Sequence, residues 1–274
     1  MYEKTFKMVR IMSKFPGIFQ KIVYYFLQEK INYEAYYKNL QGKEGLEIGG
    51  PTQIFKKNNK LPIYPWLKSL DGCNFSENTV WHDRIEKGKL SYDYDNRRRG
   101  YQYICDAVDL KLIEDGKYDF LLASHVLEHI ANPLKALHEW LRVVKEEGTI
   151  LLIVPHKEAT FDHQREVTTL SHLKEDFKNN VDEKDLTHLP EILKLHDYGL
   201  HNPTGDVESF RERSLHNYEN RCLHQHVFDI DQLMKLFNHL QIEVITVDII
   251  LPHNLVILGQ KTKKIPIKQL KKLI

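Results

Sequence analysis

Leu46-Glu47-Ile48-Gly49-Gly50-Pro51-Thr52 is the stretch on which the fold turns. An apolar run ends in a carboxylate and passes at once into a glycine pair. A chain breaks this way when a parallel strand must stop, turn and leave bare backbone for a small ligand. On its own the pattern is weak. It gains force from two segments that follow at the right distances: Asp106-Ala107-Val108-Asp109-Leu110, and Tyr118-Asp119-Phe120-Leu121-Leu122-Ala123-Ser124-His125-Val126-Leu127-Glu128-His129.

Working outward, strand 1 is expected at 44–48, strand 2 at 66–75 and strand 3 at Tyr101–Cys105. Strand 4, Tyr118–Ser124, is an apolar run bounded by polar turns, as expected for a strand buried on both faces. Residues 15–40 read as one or two helices broken near Pro16-Gly17. Residues 50–64, with Pro51 and Pro62, read as an irregular loop or short helix, and 83–99 as a charged connection. Asn132-Pro133 starts a helix, with Asn as cap and Pro at the first helical position. Leu134, Leu137, Leu141 and Val144 continue it at helical spacing, Gly148 closes it, and Thr149–Val154 is strand 5. A helix over 229–240, begun by Asp229, precedes two β-rich runs at 242–250 and 254–259. Leu251-Pro252-His253 between them is too short for a parallel crossover, so the pair should be antiparallel. Alternating strands and helices with a terminal hairpin define an α/β doubly wound sheet, whose ligand lies at the carboxyl ends of strands 1 and 4. The insertion 156–228 exceeds any simple connection and is expected to shape an acceptor pocket or lid.

The chain has 274 residues, 42% of them hydrophobic, enough for one sizeable core. A formal net charge of +1 gives no global field toward nucleic acid. The cysteines, Cys73, Cys105 and Cys222, are odd in number and far apart, which argues for a reducing, cytoplasmic setting without disulfides or a Cys-based zinc site. No apolar run approaches the roughly 20 residues of a membrane span. Residues 1–40 carry seven Lys/Arg against three Glu and read as a helical cap (1–41) before the main domain (42–260). The tail, 261–274, holds six lysines and no acid. A solvated tail is the simpler reading, and a peripheral membrane contact is compatible with it.

With these residues in view, the chain resembles the class I S-adenosylmethionine-dependent methyltransferases over about 42–155 and 228–260. Val126-Leu127-Glu128-His129-Ile130, Asn132-Pro133 and the helix leading into Gly148-Thr149-Ile150-Leu151 are close to the small-molecule branch. The resemblance implies a Rossmann-like seven-stranded sheet in the order 3-2-1-4-5-7-6, last strand antiparallel, and S-adenosylmethionine as methyl donor. It puts Glu47 at the donor's ammonium group, directly or through water, and lets the donor approach the backbone at Gly49 and Gly50. Asn74, or Asp71 three residues earlier, would bind the ribose diol. Asp106 and the backbone of Ala107 would meet the adenine, and Ser124 and His125 would lie beneath the sulfonium. The chain has Gly-Gly-Pro-Thr where the family more often has a third glycine, so a different turn is expected. A nicotinamide-binding turn would need Gly-x-Gly-x-x-Gly, which is lacking from position 52 onward.

The acceptor side is less legible. Nine histidines fall between 156 and 226: His156, His163, His172, His188, His196, His201, His216, His224 and His226. Methyl transfer to a hydroxyl requires removal of a proton, for which a histidine near neutrality is the usual base. His163, between Asp162 and Arg165, is the first choice, with His125 and His156 as rivals. Arg165, His156, His224 and His226 are candidate acceptor-binding residues. Arg165, Arg211, Arg213 and Arg221 could fork onto an anionic acceptor or pair with surface acids such as Glu208, Glu212 and Glu219. No metal is expected; His125, Glu128 and His129 are the weak candidates, because related O-methyltransferases bind a divalent ion through a similar Glu-x-x-Glu-His group. Here His125 replaces the first Glu, and the simpler account is that Glu128-His129 caps and packs the helix after strand 4. Thr160-Phe161-Asp162-His163-Gln164-Arg165 looks like a segment of methyltransferases linked to bacterial surface-glycan gene clusters. The expected function is O-methylation of a sugar, nucleotide-sugar or surface-glycan-type acceptor. Methylation of another small metabolite, a catalytically silent binding protein and a metal-dependent hydrolase on the His-rich insertion are the alternatives.

Overall fold

The computed structural model describes residues 3–14, 17–81, 84–95, 98–200 and 206–262. Helices α1 (Glu3–Ser13), α2 (Ile18–Leu27) and α3 (Tyr33–Leu40) come first. Two of these helices fall within 15–40, α1 precedes them, and the break falls at Gly17, whose φ of +139° few other residues adopt. Asn32 caps α3 by accepting from the Ala35 N–H. The lysine-rich tail from 263 onward lies outside the described residues, and among those described no helix is long and apolar enough to cross a membrane.

The chain continues through β1 (Glu44–Ile48), β2 (Ser69–Asn74), β3 (Gly88–Asp95), β4 (Arg98–Ile104), β5 (Tyr118–Ser124), α4 (Pro133–Val143) and β6 (Val144–Pro155). The insertion follows with α5 (Leu170–Lys178), α6 (Leu189–Leu195), α7 (Val207–Leu215) and α8 (Asn217–Asn220), before α9 (Ile230–His239), β7 (Ile242–Ile250) and β8 (Asn254–Lys261). The sheet has eight strands in the order β3-β4-β2-β1-β5-β6-β8-β7. Apart from β3 this is the expected order, with β8 antiparallel to both its neighbours.

The eighth strand corrects the expectation that 83–99 is only a charged connection. Tyr92 and Tyr94 are buried while Lys89, Leu90 and Asp93 are exposed. The alternation at 92–95 marks a strand with one polar face, and β3 pairs antiparallel with β4. A second correction concerns Gly148. Helix α4 ends at Val143 and the chain enters β6 directly, so Gly148 sits within the strand. A Cβ there would lie 2.7 Å from the Asp119 carbonyl oxygen, so the glycine permits close strand approach rather than closing a helix.

Both faces of the sheet are covered. On one, Leu46, Leu121, Ile150 and Leu152 pack with Trp140 of α4 and Phe237 of α9. On the other, Phe120, Leu122, Leu151 and Ile153 pack with Tyr36 and Leu40 of α3. Side chains alternate between the two cores along β5 and β6, as the period of a strand requires. Strand β1 pairs with β2 on one side and β5 on the other, both parallel. The winding reverses there, which leaves a crevice beyond the carboxyl ends.

Candidate active site

A cavity of about 420 Å³ opens in that crevice, within the range of about 300–1,000 Å³ typical of small-ligand sites. Its wall comes from the residues that end β1, β2, β4 and β5, closed over by the insertion through Glu183 and Arg221. Gly49 forms the turn after β1 with φ +77°, and a Cβ there would lie 2.5 Å from Val126 Cγ2. Backbone conformation and space both demand glycine.

Glu47 does not line the cavity. It is fully buried behind the turn, where Oε2 accepts from the hydroxyls of Tyr64 (2.7 Å) and Tyr92 (2.6 Å), and Oε1 from the Thr52 N–H (3.2 Å). Burial pushes its carboxyl above the usual value despite these donors. Its place is that of a bracket for the turn rather than a direct contact to the donor. Gly50 serves the same network, since a Cβ there would collide with the Tyr92 hydroxyl and the Glu47 carboxylate.

Asn74, Phe75, Asp106, Ala107 and Arg221 line one stretch of the wall. Asn74 Nδ2 donates to the Gly50 carbonyl at 3.3 Å. Asp106 accepts from Val108 N–H at 3.1 Å and from Arg221 Nη2 at 3.0 Å. The Arg221 guanidinium also pairs with Glu183 at 3.0 Å and lies 5.2 Å from the Phe75 ring centre. Asp71, the rival for the ribose, is not on the wall. It accepts from the Tyr101 N–H (2.8 Å) and the Tyr118 hydroxyl (2.7 Å), joining β2 to its neighbourhood.

Ser124, His125 and His129 line the wall at the end of β5 and the turn after it, with Trp81 also on the lining. The buried Ser124 hydroxyl has no hydrogen-bond partner among the described residues. His125 has φ +53°, a conformation that costs about 1–3 kcal/mol in a non-glycine residue and persists where surroundings fix it. Its Nε2 lies 2.7 Å from Asn254 Oδ1, while Asn254 Nδ2 donates to the Ile250 carbonyl at 2.8 Å. That orientation assigns a proton to Nε2, while Nδ1 faces Glu128 Oε1 at 3.4 Å. Burial opposes charge on His125, but Glu128 and Asn254 outweigh it and hold the imidazole above its usual value. His129 differs: burial, reinforced by His224, lowers it to about 4. Burial likewise opposes the Glu128 charge, yet His125, His129 and His224 hold its carboxyl below the usual range.

The remaining sequence candidates stand elsewhere. His163 is not on the wall, and its Nε2 bonds Asp197 at 2.9 Å. His156 stacks on Phe6 with ring centres 4.0 Å apart and accepts from the Glu158 N–H; burial lowers it to about 4. Arg165 is buried and occupied by Asp162, Glu191 and the carbonyls of His224 and Gln225. His224 bonds Asp162 at 2.6 Å, and the buried His226 meets the Ala131 carbonyl at 3.2 Å. His201 lies outside the described residues. His125, Glu128 and His129 do not form one helical face, because only Leu127–His129 makes a 3-10 turn. Glu128 and His129 instead bring one donor atom each within 4.8 Å of His224. Sequence reading missed Trp81, Phe75 and Glu183, and saw Arg221 only as an acceptor contact. Phe75 follows Asn74 directly, which was a usable signal; the others reach the site only through the loop and insertion paths.

The wall suits the expected donor. It combines a bare backbone turn, an amide and a carboxylate near an aromatic ring, an unpartnered buried hydroxyl, and apolar patches from Ile48, Cys73 and Val126. A family model described as a methyltransferase domain matches residues 19–247. Among solved structures, an S-adenosylmethionine-dependent methyltransferase of Thermotoga maritima is similar at 17% identity and a TM-score of 0.42, over 96% of this chain and 100% of its own. One from Mesorhizobium loti is similar at 9% identity and a TM-score of 0.48, over 84% of this chain and 95% of its own. One from Methanosarcina mazei is similar at 17% identity and 0.43, over 82% and 96%. No curated protein sequence matches the chain.

Proposed function

The chain belongs to the methyltransferase-domain family and is an S-adenosylmethionine-dependent enzyme; on that premise we propose that it methylates a hydroxyl of a neutral, sugar-type acceptor, with His125 as general base. The observation that carries this reading is the position of His125: on the cavity wall at the end of β5, with Nε2 on Asn254 and Nδ1 beside the buried Glu128 carboxylate. S-adenosylmethionine, when bound, supplies an electrophilic methyl group. Asn74, Asp106 and the Gly49 turn would hold it, with the Ser124 hydroxyl as a further partner. The chain's own task is then to orient the acceptor and take its proton. His125 Nδ1 accepts that proton, and the buried Glu128 carboxylate stabilises the imidazolium that forms. His129, lowered to about 4, is too weak a base for this at neutral pH.

The half-exposed Trp81 on the wall offers an indole face to the apolar side of a sugar ring. A neutral acceptor is favoured because Arg165 and Arg221 are already engaged with Asp162, Glu191, Asp106 and Glu183, and Arg211 pairs with Glu208 at the surface. The resemblance of Thr160–Arg165 to surface-glycan methyltransferases adds to the sugar reading.

The test is transfer from labelled S-adenosylmethionine to a panel of neutral sugars, nucleotide sugars, sugar phosphates and amines, across pH. Neutral hydroxyl compounds should be the best acceptors; transfer to amines alone would contradict the reading. The base must be neutral to act, and His125 is raised above its ordinary 6.5. The rate should therefore climb with pH through a midpoint above that value. Glu128→Gln removes the charge that favours the imidazolium, so its acid limb should move to lower pH. An unmoved limb would place the base elsewhere.

A further inference from the structure

Away from the cavity wall, the insertion brings together a group of side chains that methyl transfer does not use. His172 and Asp176 lie one turn apart on α5 and so share a face. His188 sits at the start of α6, and His226 lies in the segment that leads to α9. A ring nitrogen from each of the three histidines lies within 4.8 Å of those of the other two. His172 Nε2 and His188 Nε2 are 3.0 Å apart. Asp176 Oδ2 is 3.3 Å from His172 Nε2 and 3.7 Å from His226 Nε2.

We propose that His172, His188, His226 and Asp176 bind a divalent transition metal, with zinc the best match. The donor set is three imidazoles and one carboxylate, a nitrogen-rich set that suits zinc better than calcium or magnesium. Zinc bonds of about 2.0–2.1 Å in a tetrahedron put donors about 3.4 Å apart, and the His172–His188 and His172–Asp176 separations of 3.0 and 3.3 Å are close to that spacing.

Two further observations point to a missing partner. His226 is 1% exposed, its Nε2 meets the Ala131 carbonyl, and its Nδ1 has no hydrogen-bond partner among the described residues. One nitrogen on a backbone carbonyl with the other free is the usual arrangement of a metal-bound histidine. Asp176, 6% exposed, has its Oδ2 buried and without a hydrogen bond although two imidazoles are near. A buried acceptor left so is unfavourable, and a cation would satisfy both groups at once. Four protein donors leave no open position, so the metal is structural. It would clamp α5 and α6 to the 224–228 segment. His226 is also tied to the cavity wall: its backbone N–H donates to the Glu128 carbonyl and its ring meets the Ala131 carbonyl. The Ala131 N–H in turn donates to Glu183, the partner of Arg221. The metal would thereby hold the insertion in the position that closes the donor cavity.

The experiment is metal analysis of the full chain after incubation with zinc and exhaustive exchange into metal-free buffer. Wild type should retain at least one equivalent. His188→Ala and Asp176→Asn should each lose one equivalent, whereas Glu128→Gln should keep it. Circular dichroism establishes that each variant is folded. For wild type, cobalt(II) in place of zinc should give the visible absorption of a tetrahedral site, and metal removal should lower the melting temperature. Absence of retained zinc in wild type would overturn the proposal. So would an unchanged content in both His188→Ala and Asp176→Asn, or loss in Glu128→Gln alone.

Discussion

His125→Ala should lower the turnover number by about 10²- to 10⁴-fold, the usual contribution of a positioned general base. Affinity for S-adenosylmethionine should stay within a few-fold of wild type. The separation of the two effects is the informative part. His125 is one residue of a wall built mainly from the Gly49 turn, Asn74, Asp106 and Ala107, so the donor keeps most of its contacts. What is lost is the imidazole held between Asn254 and Glu128. Pre-steady-state transfer with saturating donor measures it directly. Near-normal turnover would remove His125 from the chemistry, and a parallel collapse of donor affinity would make it a binding residue instead.

Glu47→Ala should destabilise the fold by about 3 kcal/mol or more, since each buried polar group left unpaired costs about 1–3 kcal/mol. The Tyr64 and Tyr92 hydroxyls lose their acceptor, and Thr52 N–H keeps only Tyr64. For a chain of this size that is a fall in melting temperature of roughly 6–12 °C. Glu47→Gln keeps the shape and an acceptor oxygen, and its amide can donate to a tyrosine oxygen, so it should lose much less. The pH dependence has a definite sign. A carboxyl raised by burial favours the folded state most when protonated. Its contribution is present below the ordinary glutamate value and is lost as pH rises through the raised one. Glu47→Gln should flatten that dependence. Equal melting temperatures for wild type and Glu47→Ala would show that the bracket behind the turn is idle.

The parallel core of the sheet was readable because its strands are apolar runs between turn signals, and the Asn132 and Asp229 caps lie where their hydrogen bonds require. Strand β3 was not, because the charged residues around Tyr92 and Tyr94 hide its two inward side chains. Gly148 was misplaced for a related reason: a glycine after a helix and a glycine admitting a neighbouring strand look alike in sequence. The cavity lining was legible where residues stand at strand ends, as at Gly49, Asn74, Asp106, Ala107, Ser124 and His125. It failed where a side chain's direction decides. Glu47 and Asp71 both sit on strands at plausible positions, yet tyrosine hydroxyls take up their carboxylates away from the cavity. His163 follows Asp162 in the chain, but its partner is Asp197, 34 residues on. Such long-range pairings in the insertion leave no local trace in the chain.

The central claim is that the donor occupies the cavity between the Gly49 turn, Asn74 and Asp106. Calorimetric titration with S-adenosylhomocysteine, the demethylated donor, tests it most directly when wild type is compared with Asn74→Leu. This substitution keeps the side chain's size and removes both its donor and its acceptor. One site per chain is expected in wild type. Asn74→Leu should bind about tenfold more weakly or worse, equivalent to about 1.4 kcal/mol. No binding to folded wild type, or equal affinity in the two proteins, would contradict the placement of the donor.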